Sequence, residues 1–124
     1  KKTSNFKYVI IQKIQIVKYL YIGIYQYIMK TKVKLLKALA HDIRLQIIQH
    51  LIDDEKCACT IKVGKAQSTV SGHLKILEEA QILSSRRVGT NIWYKVKSKD
   101  TLQILKILNI NKIKSKKLKN LVKK

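Results

Sequence analysis

The stretch that decides the fold is residues 67–80, QSTVSGHLKILEEA. Val70, Leu74 and Leu77 recur at i, i+4 and i+7, the spacing that lines up apolar side chains on one face of an α-helix. The opposite face carries small and polar residues instead. The pattern therefore predicts an amphipathic helix that begins at Gln67 or Ser68, with one face packed in a core and the other free for a partner.

The residues before this helix complete a DNA-binding motif. A short helix is predicted from about Cys57 to Val63, and Gly64 is expected to end it in the left-handed conformation. A short helix, a turn with glycine and a polar-faced helix form a helix-turn-helix, whose second helix fits the major groove of DNA. From that helix, the residues expected to contact DNA are Gln67, Ser68, Thr69, Ser71, Gly72, His73 and Lys75.

A β-hairpin is predicted next. Two strand-like runs, residues 82–88 and 92–97, are joined by Gly89, Thr90 and Asn91, and glycine and asparagine supply the positive φ of a tight turn. The hairpin would form a basic wing beside the helix, where arginine neutralises phosphates or enters a minor groove. The wing residues expected to contact DNA are Arg86, Arg87, Thr90 and Asn91.

Apolar stripes at residues 33–40, 45–52 and 102–108 predict three further helices. Asp42 is the expected N-cap of the second, and the last is expected to begin near Asp100. The predicted fold is mostly α with a small β-hairpin, a winged helix-turn-helix of order α-α-α-α-β-β-α. The domain would span residues 29–111. Residues 112–124 would form a basic tail, and residues 1–28 either a helical extension or upstream sequence translated before Met29.

The charge points to a polyanionic partner. The 124 residues contain 27 Lys and Arg against 7 Asp and Glu, a formal net charge of +20. Both ends of the chain are rich in lysine and contain no acidic residue, and the middle is still basic when the lysines of the two ends are left out. AT-rich coding would also enrich lysine in the two ends. Nucleic acid is the most common partner of such a surface, followed by anionic membrane. Lys13, Gln15 and Lys18 interrupt the apolar segment 8–28, so no membrane-spanning helix is expected.

Three segments resemble the ArsR/SmtB family of metal-responsive repressors. Residues 38–48, ALAHDIRLQII, are similar to the opening of that family, and residues 67–80 to its recognition helix. The run 84–94 is similar to its wing, so that the resemblance covers about residues 33–97. It implies a cytoplasmic transcriptional regulator that binds a double-stranded DNA operator as a homodimer, paired through its first and last helices. It also implies that His41 and His73 serve the structure or DNA rather than a metal.

Cys57 and Cys59 form a Cys-x-Cys pair. This spacing is strained for an ordinary structural disulfide, so the pair is predicted to consist of reduced thiols, suited to a soft metal or to redox chemistry. The family resemblance implies a metal site at Cys57 and Cys59 for arsenite, cadmium, lead or zinc, whose binding releases DNA. The third cysteine of the arsenic-sensing pattern is missing, however. Thiol redox sensing, or no effector at these cysteines, therefore remains as an alternative.

Three departures from the family pattern bear on the structure. The chain is two residues shorter between Cys59 and Gly64, so either the third helix is trimmed or the cysteines turn to another face. Gln81 replaces a usual glycine before the first strand, and Ala66 replaces a usual serine cap.

No enzyme is expected. The sequence offers no nucleophile with a base and an orienting group, no phosphate-binding loop and no paired carboxylates in an apolar setting. The competing classes are a charge-driven architectural nucleic-acid-binding protein, a membrane-surface protein and a protein-interaction module. The first would show little sequence preference and a steep dependence of affinity on salt.

Overall fold

The computed structural model describes residues 2–110, with side chains from residue 5 onward. The predicted fold class, a winged helix-turn-helix, is confirmed. The predicted basic tail, residues 112–124, lies outside the described residues. The elements in chain order are α1 (Lys2–Leu39), α2 (Asp42–Leu51), β1 (Lys56–Cys57), a 3-10 turn (Ala58–Thr60), α3 (Gln67–Glu79), β2 (Leu83–Val88), β3 (Asn91–Val96) and α4 (Lys99–Ile107).

The chain divides into two compact units, one up to Lys34 and one from Leu35 onward. The first unit belongs to α1, so the N-terminal extension is helical as the sequence allowed. Its apolar side chains are exposed, from Ile10 at 41% to Tyr19 at 76% of their surface. None of the helices in the described part of the chain has the length and hydropathy needed to cross a membrane.

The second unit holds the hydrophobic core. Helix α2 contributes Ile47 and Ile48, helix α3 contributes Leu74 and Leu77, and all four side chains are fully buried. Ile82 and Leu83, before and at the start of β2, are fully buried as well. Because burying one such side chain stabilises the fold by about 1.5–3 kcal/mol, this cluster holds α2, α3 and the root of the hairpin together.

The three strands form one antiparallel sheet in the order β1-β3-β2. β2 pairs with β3 from Leu83 opposite Val96 to Val88 opposite Asn91. The connection is therefore a two-residue turn, in which Gly89 has a φ of +63°, as a type II′ turn requires at its first central position. Asn91 was expected to supply a positive φ, and this expectation is wrong because Asn91 is the first residue of β3.

The third predicted helix is reduced to a single 3-10 turn of three residues. Too few residues separate Cys59 from Gly64 for an α-helix of ordinary length. Of the two outcomes expected from the two-residue shortening, the structure therefore has the trimmed third helix. Gly64 is left-handed as expected, with a φ of +70°, but it lies in the loop before α3. The N-cap of α2 is His41 rather than Asp42, because Nδ1 of His41 accepts from the Ile43 amide at 3.2 Å.

Gln81 lies in the left-handed region with a φ of 64°, where most residues with a Cβ are strained. We therefore expect Gln81→Gly to raise the free energy of unfolding by about 1 kcal/mol in urea denaturation. Gln81 also accepts a hydrogen bond from Nζ of Lys97. The matched control is Gln81→Ala, which removes that bond but keeps a Cβ, and should not stabilise. Equal stability of the two variants would contradict the prediction.

Candidate nucleic-acid interface

Helix α3 is oriented by its apolar face. Val70, Leu74 and Leu77 are at most 1% exposed, so the opposite face of the helix is directed to solvent. Six of the seven residues predicted to read DNA from this helix are exposed. They are Gln67, Ser68, Thr69, Ser71, Gly72 and Lys75.

The start of α3 is open to a ligand. Its N-cap is Ala66, which makes no side-chain hydrogen bond to the helix. This agrees with the sequence, in which Ala66 replaces the serine cap that is usual in the family. The first amides of a helix have no partner within the helix, and they attract anions such as phosphate. An uncapped first turn beside Ser68 and Thr69 therefore presents both amide and hydroxyl donors.

The wing presents its four predicted residues to solvent. Arg86, Arg87, Thr90 and Asn91 are all exposed. Arg86 is already engaged: its Nε donates to Oε1 of Glu55, and its guanidinium carbon lies 5.8 Å from the centroid of the Trp93 ring. Successive side chains in a strand point to opposite faces, so Arg87 points away from these two partners.

His73 differs from the other predicted reading residues. It is half-buried, and its Nδ1 accepts a hydrogen bond from Nε of Arg44 at 3.3 Å. Burial, followed by the charges of His41 and Arg44, holds the pKa of His73 below its usual value of 6.5, while Asp42 acts in the opposite direction. His73 is therefore directed partly inward as a neutral ring.

Sequence reasoning missed two residues that contact this interface, Arg44 and Glu55. Arg44 is separated from His73 by 29 positions, and Glu55 from Arg86 by 31. No local pattern connects residues so far apart, because their contacts form only when α2, the sheet and α3 pack together.

Cys57 and Cys59 are joined in a disulfide, with their Cα atoms 5.2 Å apart. The sequence-based expectation of reduced thiols is therefore wrong for the state that the structure describes. The extended backbone at Cys57, followed by the 3-10 turn, brings the Cα atoms within the range of about 4.4–6.8 Å that disulfides occupy. Cys57 is buried at 3% exposure, whereas Cys59 is exposed.

Residues 57–59, the cysteine turn, contact both α3 and the hairpin. Nε2 of Gln67, the first residue of α3, donates to the carbonyl oxygen of Ala58 between the two cysteines at 3.1 Å. In the sheet, Cys57 is the partner of Trp93 on β3. Glu55, two residues before the turn, binds Arg86 on β2. The segment from Glu55 to Cys59 therefore connects the recognition helix with the wing.

Few side chains in the described part of the chain are placed to bind a metal ion. Within residues 2–110, no group of three or more His, Cys, Asp and Glu side chains is placed to hold an ion. The two cysteine sulfurs would thus supply only part of a closed thiolate site, which takes four ligands. The metal site at Cys57 and Cys59 stays a prediction.

Known proteins are similar to this chain in sequence and in fold. Residues 41–85 match the family described as "Bacterial regulatory protein, arsR family". The arsenical resistance operon repressor of Staphylococcus aureus is 32% identical over 60% of this chain and 77% of its own length. The crystal structure of NolR from Sinorhizobium fredii is 30% identical with a TM-score of 0.61, covering 68% of this chain and 86% of that one. A homodimeric winged helix-turn-helix DNA-binding domain from Mycobacterium bovis is 25% identical with a TM-score of 0.63, covering 69% and 82%.

Glu55 pairs with Arg86, which the sequence predicts to contact DNA, so we expect Glu55 to compete with DNA phosphates for this guanidinium. We expect Glu55→Gln to raise the affinity for any duplex by about two- to fivefold, since an exposed ion pair is worth up to about 1 kcal/mol. The slope of log affinity against log salt should steepen by about one, because one more cation reaches phosphate. Fluorescence anisotropy with a mixed-sequence duplex at several salt concentrations measures both. Glu79→Gln, at the exposed end of α3, removes the same charge and should change the affinity less; an equal gain would contradict the competition.

Proposed function

Because the chain belongs to the arsR family of bacterial regulatory proteins, whose members are DNA-binding transcriptional regulators and not enzymes, we propose that it is a sequence-specific repressor. It binds a double-stranded DNA operator as a cytoplasmic homodimer and is released when the Cys57–Cys59 site changes state. The exposed polar face of α3, with the basic wing following it, is the observation that carries the proposal.

The two DNA-facing elements have complementary tasks. Hydroxyl groups of Ser68, Thr69 and Ser71 are short, so they allow α3 to approach base edges in the major groove closely. Lys75 and Arg87 supply charge for the phosphate backbone, which sets affinity without reading sequence. A homodimer presents two copies of α3, and two half-sites then multiply specificity. The homodimeric domain from Mycobacterium bovis supports this assembly for a chain of the same fold.

Selection from a random duplex library by the full chain, followed by anisotropy with the selected duplex, tests sequence-specific binding. We expect Ser71→Ala to lower the preference for the selected over an unrelated duplex while the salt slope stays unchanged. Lys75→Ala should weaken binding to both duplexes and reduce the salt slope by about one. Lys106→Ala on α4 is the charge-matched control.

The competing architectural function predicts a different result. A protein that binds through charge alone would select no consensus and would bind every duplex equally at each salt concentration. In that case Lys75→Ala and Lys106→Ala would weaken binding to a similar extent. Such an outcome would contradict the proposed operator recognition.

The cysteine turn is the proposed effector site. Its contacts with Gln67 and Trp93 give any change at Cys57 or Cys59 a direct route to α3 and to the wing. Reduction by a dithiol transfers two electrons and two protons, leaving two cysteine thiols and an oxidised cyclic disulfide of the reagent. The Cys59 amide, 3.3 Å from Sγ of Cys57, would then stabilise a thiolate.

Thiolates are preferred ligands of soft ions such as arsenite, cadmium, lead and zinc. Two sulfurs supply fewer donors than a closed site needs, so the remaining ligands would come from solvent or a small thiol. The fit of the described residues to a metal is thus incomplete. The presence of a disulfide favours thiol redox chemistry as the second candidate for the signal.

Anisotropy with the selected duplex separates the two signals. For the soft-ion response we expect the reduced chain to bind DNA and to be released by one of the four ions, by more than tenfold in affinity (a coupling above about 1.4 kcal/mol). The Cys57→Ser/Cys59→Ser double variant should bind DNA and ignore that ion. A difference between oxidised and reduced chain without any ion effect would support redox sensing. Equal affinity in every state would contradict both.

A further inference from the structure

Arg44 connects three helices through one guanidinium group. It lies on α2, half-buried. Its Nη1 donates to the carbonyl oxygens of Lys37 at 3.4 Å and Ala38 at 3.3 Å, in the last turn of α1. The last carbonyls of a helix have no partner within the helix, so Arg44 satisfies groups that α1 leaves open. Its Nε reaches His73 on α3 at 3.3 Å.

The bond between Arg44 and His73 requires a neutral imidazole. Arginine is always protonated and only donates, so Nδ1 of His73 must carry a lone pair and the ring proton must lie on Nε2. The ring of His41 lies 4.6 Å from that of His73, centroid to centroid. His41 also uses Nδ1 as an acceptor, from the Ile43 amide. Nδ1 of His41 also lies 3.3 Å from Oδ1 of Asp42.

The surroundings of His73 oppose its protonation. The titratable and charged groups that face His73 are Arg44 and Asp42 of α2, and His41 just before that helix. Helix α1 contacts Arg44 through its carbonyl oxygens. Burial lowers the pKa of His73, and the charges of His41 and Arg44 lower it further, whereas the exposed Asp42 raises it. A proton on Nδ1 would remove the acceptor of Arg44 and place a cation against its guanidinium.

We propose that Arg44 is a positioning residue for DNA binding, which holds recognition helix α3 through neutral His73, and that protonation of His73 releases this hold and weakens DNA binding. The inference rests on the proposed function. It assigns to His73 an inward role in place of the direct DNA contact that the sequence suggested. His73 follows Gly72 and precedes Lys75 by two positions, so a shift at His73 moves the reading face itself.

The sign of the pH effect distinguishes the two roles of His73. If His73 accepts from Arg44, added protons break that bond and the affinity falls as the pH drops. If His73 binds a phosphate, protonation adds a favourable charge and the affinity rises. One linked proton changes the affinity by at most about one decade per pH unit.

Folding follows the same linkage. The folded pKa of His73 lies below the unfolded value of 6.5, so the unfolded chain binds more protons between these two values. The contribution of His73 to the free energy of unfolding is therefore complete above pH 6.5. It is lost as the pH falls from 6.5 through the lowered folded pKa.

The test measures the affinity of the full chain for the selected duplex from pH 8 to pH 5.5. His73→Asn places an amide oxygen near the position of Nδ1, so it keeps an acceptor for Arg44 without a titrating group. We expect wild type to lose affinity relative to His73→Asn over this range by up to about tenfold, because the one linked proton binds only below pH 6.5. His50→Gln, at a histidine that contacts the Lys62 carbonyl instead, should follow wild type.

A rise in the affinity of wild type relative to His73→Asn at low pH, or identical profiles for the two proteins, would overturn the proposal. NMR of the histidine ring nitrogens supplies a readout without DNA. We expect the Nε2–H tautomer at His73 with a pKa below 6.5, and a pKa closer to 6.5 in Arg44→Met, which removes both the donor and the charge. If Arg44→Met does not fold, wild type and His73→Asn alone decide.

Failure of the proposed function would be recognised separately. If no duplex is selected, operator recognition fails, and the NMR titration still decides the contact on which this inference stands. A neutral Nε2–H ring at His73 then supports the Arg44 contact. An Nδ1–H ring, or a pKa above 6.5, overturns it.

Discussion

The interface depends on the burial of one face of α3. Val70, Leu74 and Leu77 pack against Ile47 and Ile48 of α2 with at most 1% exposure. Each buried side chain stabilises this packing by about 1.5–3 kcal/mol, more than an exposed ion pair contributes. Only one rotation of the helix about its axis buries all three. That rotation directs the hydroxyl groups and Lys75 outward, so the core determines which residues can reach DNA.

A second, weaker set of contacts connects the DNA-facing elements with each other. The short strand β1 pairs with β3, Glu55 binds Arg86, and Gln67 binds the Ala58 carbonyl. These contacts are few and partly exposed, so each is worth about 1 kcal/mol or less. In the proposed function, chemistry at Cys57 and Cys59 alters the link between α3 and the wing while the core stays intact. A stable core with weaker contacts between α3 and the wing suits a regulator whose affinity for DNA has to change.

Arg44 belongs to neither set. Its guanidinium satisfies two carbonyls at the end of α1 and one ring nitrogen of His73, so it joins polar groups that the core cannot accommodate. The apolar contacts determine the rotation of α3, whereas the bond from Arg44 holds one point near its middle. Because that bond exists only with a neutral ring, the position of α3 acquires a dependence on protonation that hydrophobic packing lacks.

The sequence by itself determined the elements with a local signature. The spacing of Val70, Leu74 and Leu77 predicted α3 and its exposed face, and Gly89 predicted the hairpin turn. These features depend on residues within a few positions of one another. The third helix was predicted over residues 57–63, and the shortening before Gly64 left open whether it would be trimmed; the structure reduces it to the 3-10 turn.

Only the tertiary structure decided how distant residues meet. The pairing of Arg86 with Glu55, the contact of His73 with Arg44 and the strand at Lys56–Cys57 all join parts of the chain that no sequence period relates. The cysteines differ, because their spacing suggested separate thiols, whereas the extended backbone at Cys57 and the 3-10 turn after it bring them into a disulfide. The contacts between distant residues form only once the core has fixed the relative positions of α2, α3 and the sheet.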